Sequence, residues 1–261
     1  MIWVWLPAYN EAGGIEELLI NIKKSLEIRG LEYKLVVYDD GSSDNTVNKI
    51  LSTRSRDIDI ELIKGEVNKG LGYALFYFIK HCTLISSPDD IIVIMDADNT
   101  HNPELIYQMY NYIQIGFDIV IASRYTPYSR MRGVNLYRQF LSRVASIIFK
   151  MFFPIKGVSD YTCGYRAYTA GILKLASDIY GEKLIEERGF ACMAELLIKL
   201  RRLDIIACEV PLILRYDKKV GDSKMEVLFT VFRTFGVIFK LMWLPGFNKK
   251  PLAVLKKKYN I

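Results

Sequence analysis

With 261 residues, 51% of them hydrophobic, the chain is long enough for one large α/β domain, or a domain with an appendage, around a sizeable core. Its net charge of +6 and pI near 9.0 admit nucleic acid, anionic lipid or a phosphorylated substrate as partner, and nucleic acid is set aside because no RNA- or DNA-binding motif is present. The four cysteines, Cys82, Cys163, Cys192 and Cys208, are scattered without metal-ligand spacing, and with no leader-like segment they are expected to stay reduced in the cytoplasm.

Residues 2–6 read as a strand, followed by the loop Pro7-Ala8-Tyr9-Asn10-Glu11, whose proline is expected to stop it. Gly13 and Gly14 precede a helical pattern over residues 15–28. Residues 33–38 form a second apolar strand, ending at Asp39-Asp40-Gly41-Ser42-Ser43-Asp44, and Asp44 is expected to cap a helix starting near Asn45. Residues 58–63 make a third strand. Asn68-Lys69-Gly70-Leu71-Gly72 opens another helix, its glycines allowing close backbone approach to a ligand.

The run Ile91-Ile92-Val93-Ile94-Met95 reads as a strand buried on both faces, as in a parallel sheet. It stops at Asp96-Ala97-Asp98-Asn99-Thr100-His101. In an open α/β sheet, ligands bind beyond the carboxyl ends of the strands. Two carboxylates at that edge suit Mg²⁺ or Mn²⁺ shared with substrate phosphates. The plainer reading is that Asp96 and Asp98 cap the turn and the following helix. His101 either caps that turn or approaches the site.

Residues 117–122 form the next strand, ending at Ser123-Arg124, and residues 125–135 a loop carrying Arg130 and Arg132. Residues 136–153 look helical, amphipathic and aromatic-rich. Asp160-Tyr161-Thr162-Cys163-Gly164-Tyr165-Arg166-Ala167-Tyr168 follows, then a helix over about residues 188–202 and a strand-like stretch, 205–214, interrupted by Pro211. Strands alternating with helices imply parallel βαβ units, so several polar loops converge on one sheet edge.

The ordered set Pro-Ala-Tyr-Asn-Glu, Asp-Asp-Gly-Ser-Ser-Asp, Asn-Lys-Gly-x-Gly and Asp-Ala-Asp resembles the family 2 nucleotide-sugar glycosyltransferases. Ser123-Arg124-Tyr125, the Cys163–Tyr168 segment, Glu209-Val210-Pro211 and Gly221-Asp222-Ser223-Lys224 are similar to dolichyl-phosphate mannose synthases and related polyprenyl-phosphate enzymes. The resemblance covers roughly residues 2–240. It implies an A-type glycosyltransferase fold, Rossmann-like with a mostly parallel sheet flanked by helices, as a catalytic domain over 1–224 and an amphipathic helix and basic tail over 225–261.

By the same resemblance, Pro7, Tyr9 and Glu11 line the nucleotide pocket, and Asp40, with Asp39 beside it, holds the base or ribose. Lys69, Gly70, Ala97 and Lys218 belong to the donor site, and Asp96 and Asp98 bind the ion and the sugar diphosphate. Arg124, Arg138 and Ser142 receive the acceptor's phosphate. Arg138 and Ser142 also stand four apart on one helix face, where an arginine fork can take phosphate oxygens. Without the resemblance, Arg138 reads as a solvated surface residue. Two positions depart from the pattern. Thr100 stands where such enzymes often carry a Gln as third metal ligand. Lys218, with Arg215 nearby, stands where they carry an Arg three residues before the glycine, keeping charge but losing the fork.

The implied reaction moves a sugar, mannose first, from a nucleoside diphosphate to a polyprenyl phosphate, with GDP-mannose the favoured donor and UDP-glucose the alternative. A phosphate monoester is already an anion near neutral pH, its second pKa being about 6, so no dedicated base is expected. Direct attack would invert the anomeric centre. Transfer to a glycan or protein acceptor is the main alternative. A haloacid-dehalogenase-like phosphatase explains Asp-x-Asp but leaves Pro7–Glu11 without a role, and a nucleotidylyltransferase lacks its Gly- and Arg-rich first loop. A lipid-bound scaffold without catalysis is a further reading.

Residues 225–244 are apolar apart from Glu226, Arg233, Lys240 and a few small or hydroxyl residues. At helical rise the stretch is about 30 Å, enough to cross a bilayer. Yet its charges recur every seven residues, forming one stripe opposite a Phe/Val/Leu face, which suits a helix lying in the interface. Residues 136–153 offer a second such helix, with Phe140, Phe149, Phe152 and Phe153, and the tail lysines Lys249, Lys250, Lys256, Lys257 and Lys258 add attraction to anionic lipid. Packing of both helices on the core or on another subunit is the alternative. The expectation is a peripheral protein at the cytoplasmic face, held there directly or by a membrane subunit.

Overall fold

The computed structural model describes residues 1–219 and the helix Val227–Met242. The Gly221–Lys224 motif, Glu226 and the tail lysines lie outside the described residues.

Four parallel strands form the first half of the sheet: β1 (Ile2–Ala8), β2 (Tyr33–Asp39), β3 (Ile60–Lys64) and β4 (Ile91–Ile94). The helices between them are α1 (Ile15–Glu27), α2 (Thr46–Arg54) and α3 (Leu71–Ile85). After α4 (Leu105–Gln114), β5 (Ile119–Ser123) is followed by the short β6 (Arg130–Arg132) and the helix α5 (Leu136–Phe152). Then come β7 (Arg166–Thr169), α6 (Ala170–Tyr180), α7 (Cys192–Arg201), β8 (Ala207–Pro211), β9 (Ile213–Arg215) and α8 (Val227–Met242).

The main sheet runs β3-β2-β1-β4-β7-β5-β8, parallel except for β7, which is antiparallel to both neighbours. This is the expected mostly parallel α/β sheet. β1, β2 and β4 are buried along most of their length, which is why they read as unbroken apolar runs. Their parallel registers bring Ala8 beside Asp39 and Trp5 beside Ile94, so the loops after all three open at one edge.

Several details differ from the sequence reading. β1 runs through Pro7 to Ala8 rather than ending at Leu6. Pro7 has the parity of Trp5, whose carbonyl accepts from Met95 N, and β4 stops at Ile94, so the missing N–H faces no strand. β7 and α6 were not anticipated, and the expected loop 125–135 contains β6, paired in parallel with β9 in a separate two-stranded sheet. α7 begins at Cys192, later than expected, because the Glu195 carboxylate engages the amides of Glu186 (3.0 Å) and Glu187 (2.8 Å) and holds the segment before it in extended loop form.

α8 is the largest correction. The stripe of Arg233 and Lys240 faces the 186–187 loop: Arg233 Nε lies 2.9 Å from Glu187 and Lys240 Nζ 3.0 Å from Glu186. Thr234, Val237, Ile238 and Leu241 are buried, the last three within the same hydrophobic core as the sheet, while Phe235, Phe239 and Met242 stay exposed. Complementary charge on the 186–187 loop captures the stripe that sequence reading assigned to headgroups.

Candidate active site

The loop after β4 carries the two carboxylates. Asn99 takes the left-handed conformation (φ 58°), reversing the chain so that Thr100 folds back on Asp98. Asp98 Oδ1 accepts from Thr100 N (3.2 Å) and Thr100 Oγ1 (2.7 Å), so the threonine orients Asp98 rather than offering a lone pair of its own. Asp98 Oδ2 accepts from Lys219 Nζ at 2.7 Å. Burial opposes charge on Asp98, but the neighbouring ammonium of Lys219, with His101 and the Thr100 hydroxyl, outweighs it and holds the carboxyl below its usual range. Burial raises Asp96, with Asp98 adding to it, against the pull of His101. The His101 ring is buried and stacked on Tyr165 at 4.9 Å; its Nδ1 accepts from Asp96 N (3.3 Å) and Nε2 lies 3.8 Å from Asp96 Oδ2. His101 therefore closes the turn and lies against Asp96.

Among the described residues, no cluster of three or more His, Cys, Asp and Glu is arranged to hold a metal. The donor set fits a hard divalent ion all the same, because Asp98 already presents an oxygen to a cation, the Lys219 ammonium. Mg²⁺ and Mn²⁺ sites with one or two protein carboxylates are completed by substrate phosphates and water.

The loop after β2 divides its two aspartates. Asp40 accepts from Lys69 N (2.9 Å) and Gly70 N (2.8 Å), clamping the 68–70 loop, and burial raises its pKa against those amides. Asp39 Oδ2 accepts from Ser42 N, while its buried Oδ1 has no partner among the described residues. A buried acceptor without a donor is costly, and a ligand hydroxyl or N–H would satisfy it. The glycines of this loop serve protein rather than ligand: a Cβ on Gly70 would meet Arg188 O at 2.6 Å and one on Gly72 would meet Glu187 O at 1.7 Å. Lys69 lies over the Tyr73 ring at 4.5 Å, at the surface.

The loop after β1 is bonded to the loop after β2, and its Gly14 packs against Asp98 and Asn99. Asn10 (φ 53°) donates its N–H to Ser42 Oγ and accepts at Oδ1 from Ser43 N, and Glu11 N donates to Thr46 Oγ1. Pro7, Tyr9 and Glu11 are half-buried along this edge, and Ala97 is buried beneath it.

On the other side of the edge lie the cations. Arg124, at the end of β5, makes a fork onto buried Asp160 through Nε (2.8 Å) and Nη2 (2.6 Å), and Nη2 also donates to Thr162 Oγ1. Against burial, the guanidinium keeps the Asp160 carboxyl well below the usual range. Glu209 holds the segment from below, accepting from Ser159 N and Asp160 N, both at 2.6 Å. Ser142 Oγ contacts Thr162 Oγ1 (3.2 Å) and accepts from the Tyr125 hydroxyl (3.0 Å). Arg138, one turn earlier on α5, donates to the Tyr216 hydroxyl at 3.0 Å. Arg124 and Ser142 thus share one network, and Arg138 sits on the same helix.

Lys218 is placed differently from the sequence reading. It reaches Glu17 at 3.6 Å on the surface, whereas Lys219 turns into the site. Arg215 N donates to Thr100 O at 2.9 Å, pinning the end of β9 to the Asp-Ala-Asp turn and fixing which lysine points inward. Lys219, Tyr216 and Asp160 were missed by sequence reading. Asp160 and Glu209 both stand in stretches the sequence marks, yet nothing local pairs them with their partners.

The profile described as Glycosyl transferase family 2 matches residues 3–175, about two-thirds of the chain. The chain belongs to that family. It is 30% identical over 244 residues to a dolichol-phosphate mannosyltransferase of Pyrococcus furiosus, covering 93% of this chain and 64% of that one, so it spans somewhat under two-thirds of that relative's length. It is 27% identical over 221 residues to an undecaprenyl-phosphate mannosyltransferase of Micrococcus luteus, covering 85% of this chain and 86% of that one. Among solved structures, glucosyl-3-phosphoglycerate synthase from Mycobacterium tuberculosis, in complex with Mn²⁺, UDP and phosphoglyceric acid, superposes with a TM-score of 0.69 at 21% identity, covering 94% of this chain and 79% of that one. That likeness establishes the fold, the A-type architecture expected from the sequence.

Proposed function

We propose that this protein transfers mannose, with inversion, from GDP-mannose to a polyprenyl phosphate at a membrane surface. The observation that carries this reading is the similarity along most of the chain to two polyprenyl-phosphate mannosyltransferases, one archaeal and one bacterial. The geometry supports it: a carboxylate edge suited to a metal-diphosphate stands beside a group of arginines and hydroxyls suited to a second phosphate.

Asp96 and Asp98 hold the Mg²⁺ or Mn²⁺ ion, which when bound offsets charge on the departing diphosphate. Asp39 Oδ1 accepts from the nucleoside, while Asp40 fixes the 68–70 loop that closes the pocket with Pro7, Tyr9 and Glu11. Arg138, Arg124 and Ser142 receive the acceptor phosphate. A phosphate oxygen forms the new bond to the anomeric carbon as the bond to the diphosphate breaks, and the nucleoside diphosphate leaves with the electron pair. The acceptor is already ionised near neutral pH, so the protein's task is to bring two anions together, which cationic side chains make feasible.

The exposed residues Leu136, Phe140, Ile147 and Met151 on α5, and Phe235, Phe239 and Met242 on α8, provide the lipid contact. No helix among the described residues is long and apolar enough to cross a membrane. In this reading the protein sits on the cytoplasmic leaflet, alone or with a membrane subunit.

Radiolabelled GDP-mannose or UDP-glucose, incubated with the protein, Mn²⁺ and a short polyprenyl phosphate, tests the reading. Label entering the organic phase from GDP-mannose is expected. Label from UDP-glucose alone overturns the donor assignment, and label in an aqueous product overturns the acceptor.

A further inference from the structure

We infer that Lys219 is a resident cation of the ion site: it competes with the divalent ion for Asp98, so that tight ion binding requires a nucleoside diphosphate to take over its ammonium. This rests on the reading of Asp96 and Asp98 as ion ligands.

Asp98 has one oxygen to offer. Thr100 N and Thr100 Oγ1 engage Oδ1, at 3.2 and 2.7 Å, leaving Oδ2 for a cation. Lys219 Nζ stands 2.7 Å from that oxygen, and the two side chains are only 12% and 10% exposed. An ion bound to Oδ2 at about 2.1 Å would lie within about 5 Å of the ammonium. Two cations that close, with little water between them, repel strongly. The ion and Lys219 therefore exchange rather than share.

The exchange is local. The backbone around Lys219 is fixed by Arg215 N donating to Thr100 O (2.9 Å) and by Lys219 N donating to Tyr216 O (3.2 Å). The ammonium must swing on its own four-carbon stem, which a lysine does readily. A diphosphate arriving with the ion supplies the anion it needs. The Tyr216 ring, 5.5 Å from Nζ, bridges toward Arg138, so the lysine moves along the side that faces the acceptor cations. Because binding free energies are reciprocal, a diphosphate that relieves Asp98 of Lys219 tightens the ion by the factor with which the ion tightens the diphosphate.

Titration of the full chain with MnCl₂, alone and with saturating GDP or UDP, followed by calorimetry and by the electron-spin signal of free Mn²⁺, tests this without turnover. In the wild type, Mn²⁺ alone should bind weakly and one of the diphosphates should tighten it at least tenfold. Lys219→Met should bind Mn²⁺ alone at least tenfold more tightly than the wild type and lose most of that enhancement; Lys219→Arg should keep the wild-type pattern. If the Met variant fails to melt cooperatively, Lys219→Gln replaces it with the same expectation. Unchanged or weaker Mn²⁺ binding by the folded variant, with the wild type still binding Mn²⁺ and diphosphate, overturns the role of Lys219 alone. Absence of Mn²⁺ binding by every variant, with or without diphosphate, overturns the ion reading and this inference with it.

Discussion

The carboxylate edge and the arginine side of the site are built by opposite means. On the carboxylate edge, backbone amides and a neighbouring hydroxyl do most of the seating, Asp40 on Lys69 N and Gly70 N and Asp98 Oδ1 on Thr100, with the Lys219 ammonium on Asp98 Oδ2 the one side chain brought from afar among the contacts described. On the arginine side, cations are held by side chains far away in the chain: Arg124 by Asp160, 36 residues on, and Arg138 by Tyr216, 78 residues on. A carboxylate can be satisfied by amides that any turn provides. A buried guanidinium needs a carboxylate or several carbonyls, and these must be delivered by the tertiary fold. Substitutions on the first side should therefore cost chemistry, and on the second side stability.

The largest effect is expected at Asp98. Asp98→Ala should lower transfer about a thousandfold, roughly 4 kcal/mol of transition-state stabilisation, with a near-normal melting transition. EDTA should abolish the wild-type activity reversibly. Full transfer in EDTA, or by the Ala variant, would sink the ion reading.

Asp160 should behave the other way. Asp160→Ala leaves the Arg124 guanidinium without its partner and should cost about 3–5 kcal/mol in urea unfolding. The pH dependence has a definite sign. Asp160 is held below the ordinary aspartate value, so its contribution is complete above the unfolded pKa of about 3.9 and is lost as pH falls through the lower folded value. Wild type and Asp160→Asn should differ most near pH 6 and converge in acid. A constant difference down to about pH 3 would mean that the pair is not what stabilises this segment.

The same contrast explains how much could be read in advance. The strands of the first half, the converging loops and Asp96, Asp98, Asp39 and Asp40 were legible because each is announced by a contiguous run: an apolar strand, then acids and glycines. The antiparallel β7 was not, since Arg166 at its start is wholly buried on the carbonyls of Tyr161, Cys163 and Met193, a pattern visible only in three dimensions. Lys219 and Lys218 are equivalent as sequence. The choice between them follows from the Arg215–Thr100 contact and from Glu17, which attracts Lys218 outward. Seven-residue spacing of Arg233 and Lys240 identified one stripe correctly, but whether a stripe faces lipid or Glu186 and Glu187 is decided by the loop opposite it.

Arg138 sharpens the comparison because it is only half-buried and one of its contacts is to a neutral hydroxyl, that of Tyr216. Arg138→Ala should leave the fold intact and raise the acceptor KM about tenfold, near 1.4 kcal/mol, with donor affinity unchanged. Tyr216→Phe should have a smaller effect in the same direction. An unchanged acceptor response returns Arg138 to the status of a surface residue.

The smallest effects are expected at the residues proposed to face lipid, where many side chains would share the contact. α5 and α8 belong to the arginine side, and each leaves apolar residues at helical spacing in the open: Phe140, Ile147 and Met151 on one, Phe235, Phe239 and Met242 on the other. Phe140→Ser or Phe239→Ser should each weaken flotation with anionic liposomes several-fold, about 1 kcal/mol, because only part of each ring is removed from water. Arg233→Gln offers the contrast. In the original stripe reading this residue meets headgroups, and its loss would weaken flotation about as much as one phenylalanine. In the structure it pairs with Glu187 instead, so its loss should lower thermal stability slightly and leave flotation nearly unchanged. Carbonate should release the wild type. Failure to float under any salt condition removes the interfacial assignment, and equal losses for Arg233→Gln and Phe239→Ser would show that α8 turns its charged stripe to the membrane after all.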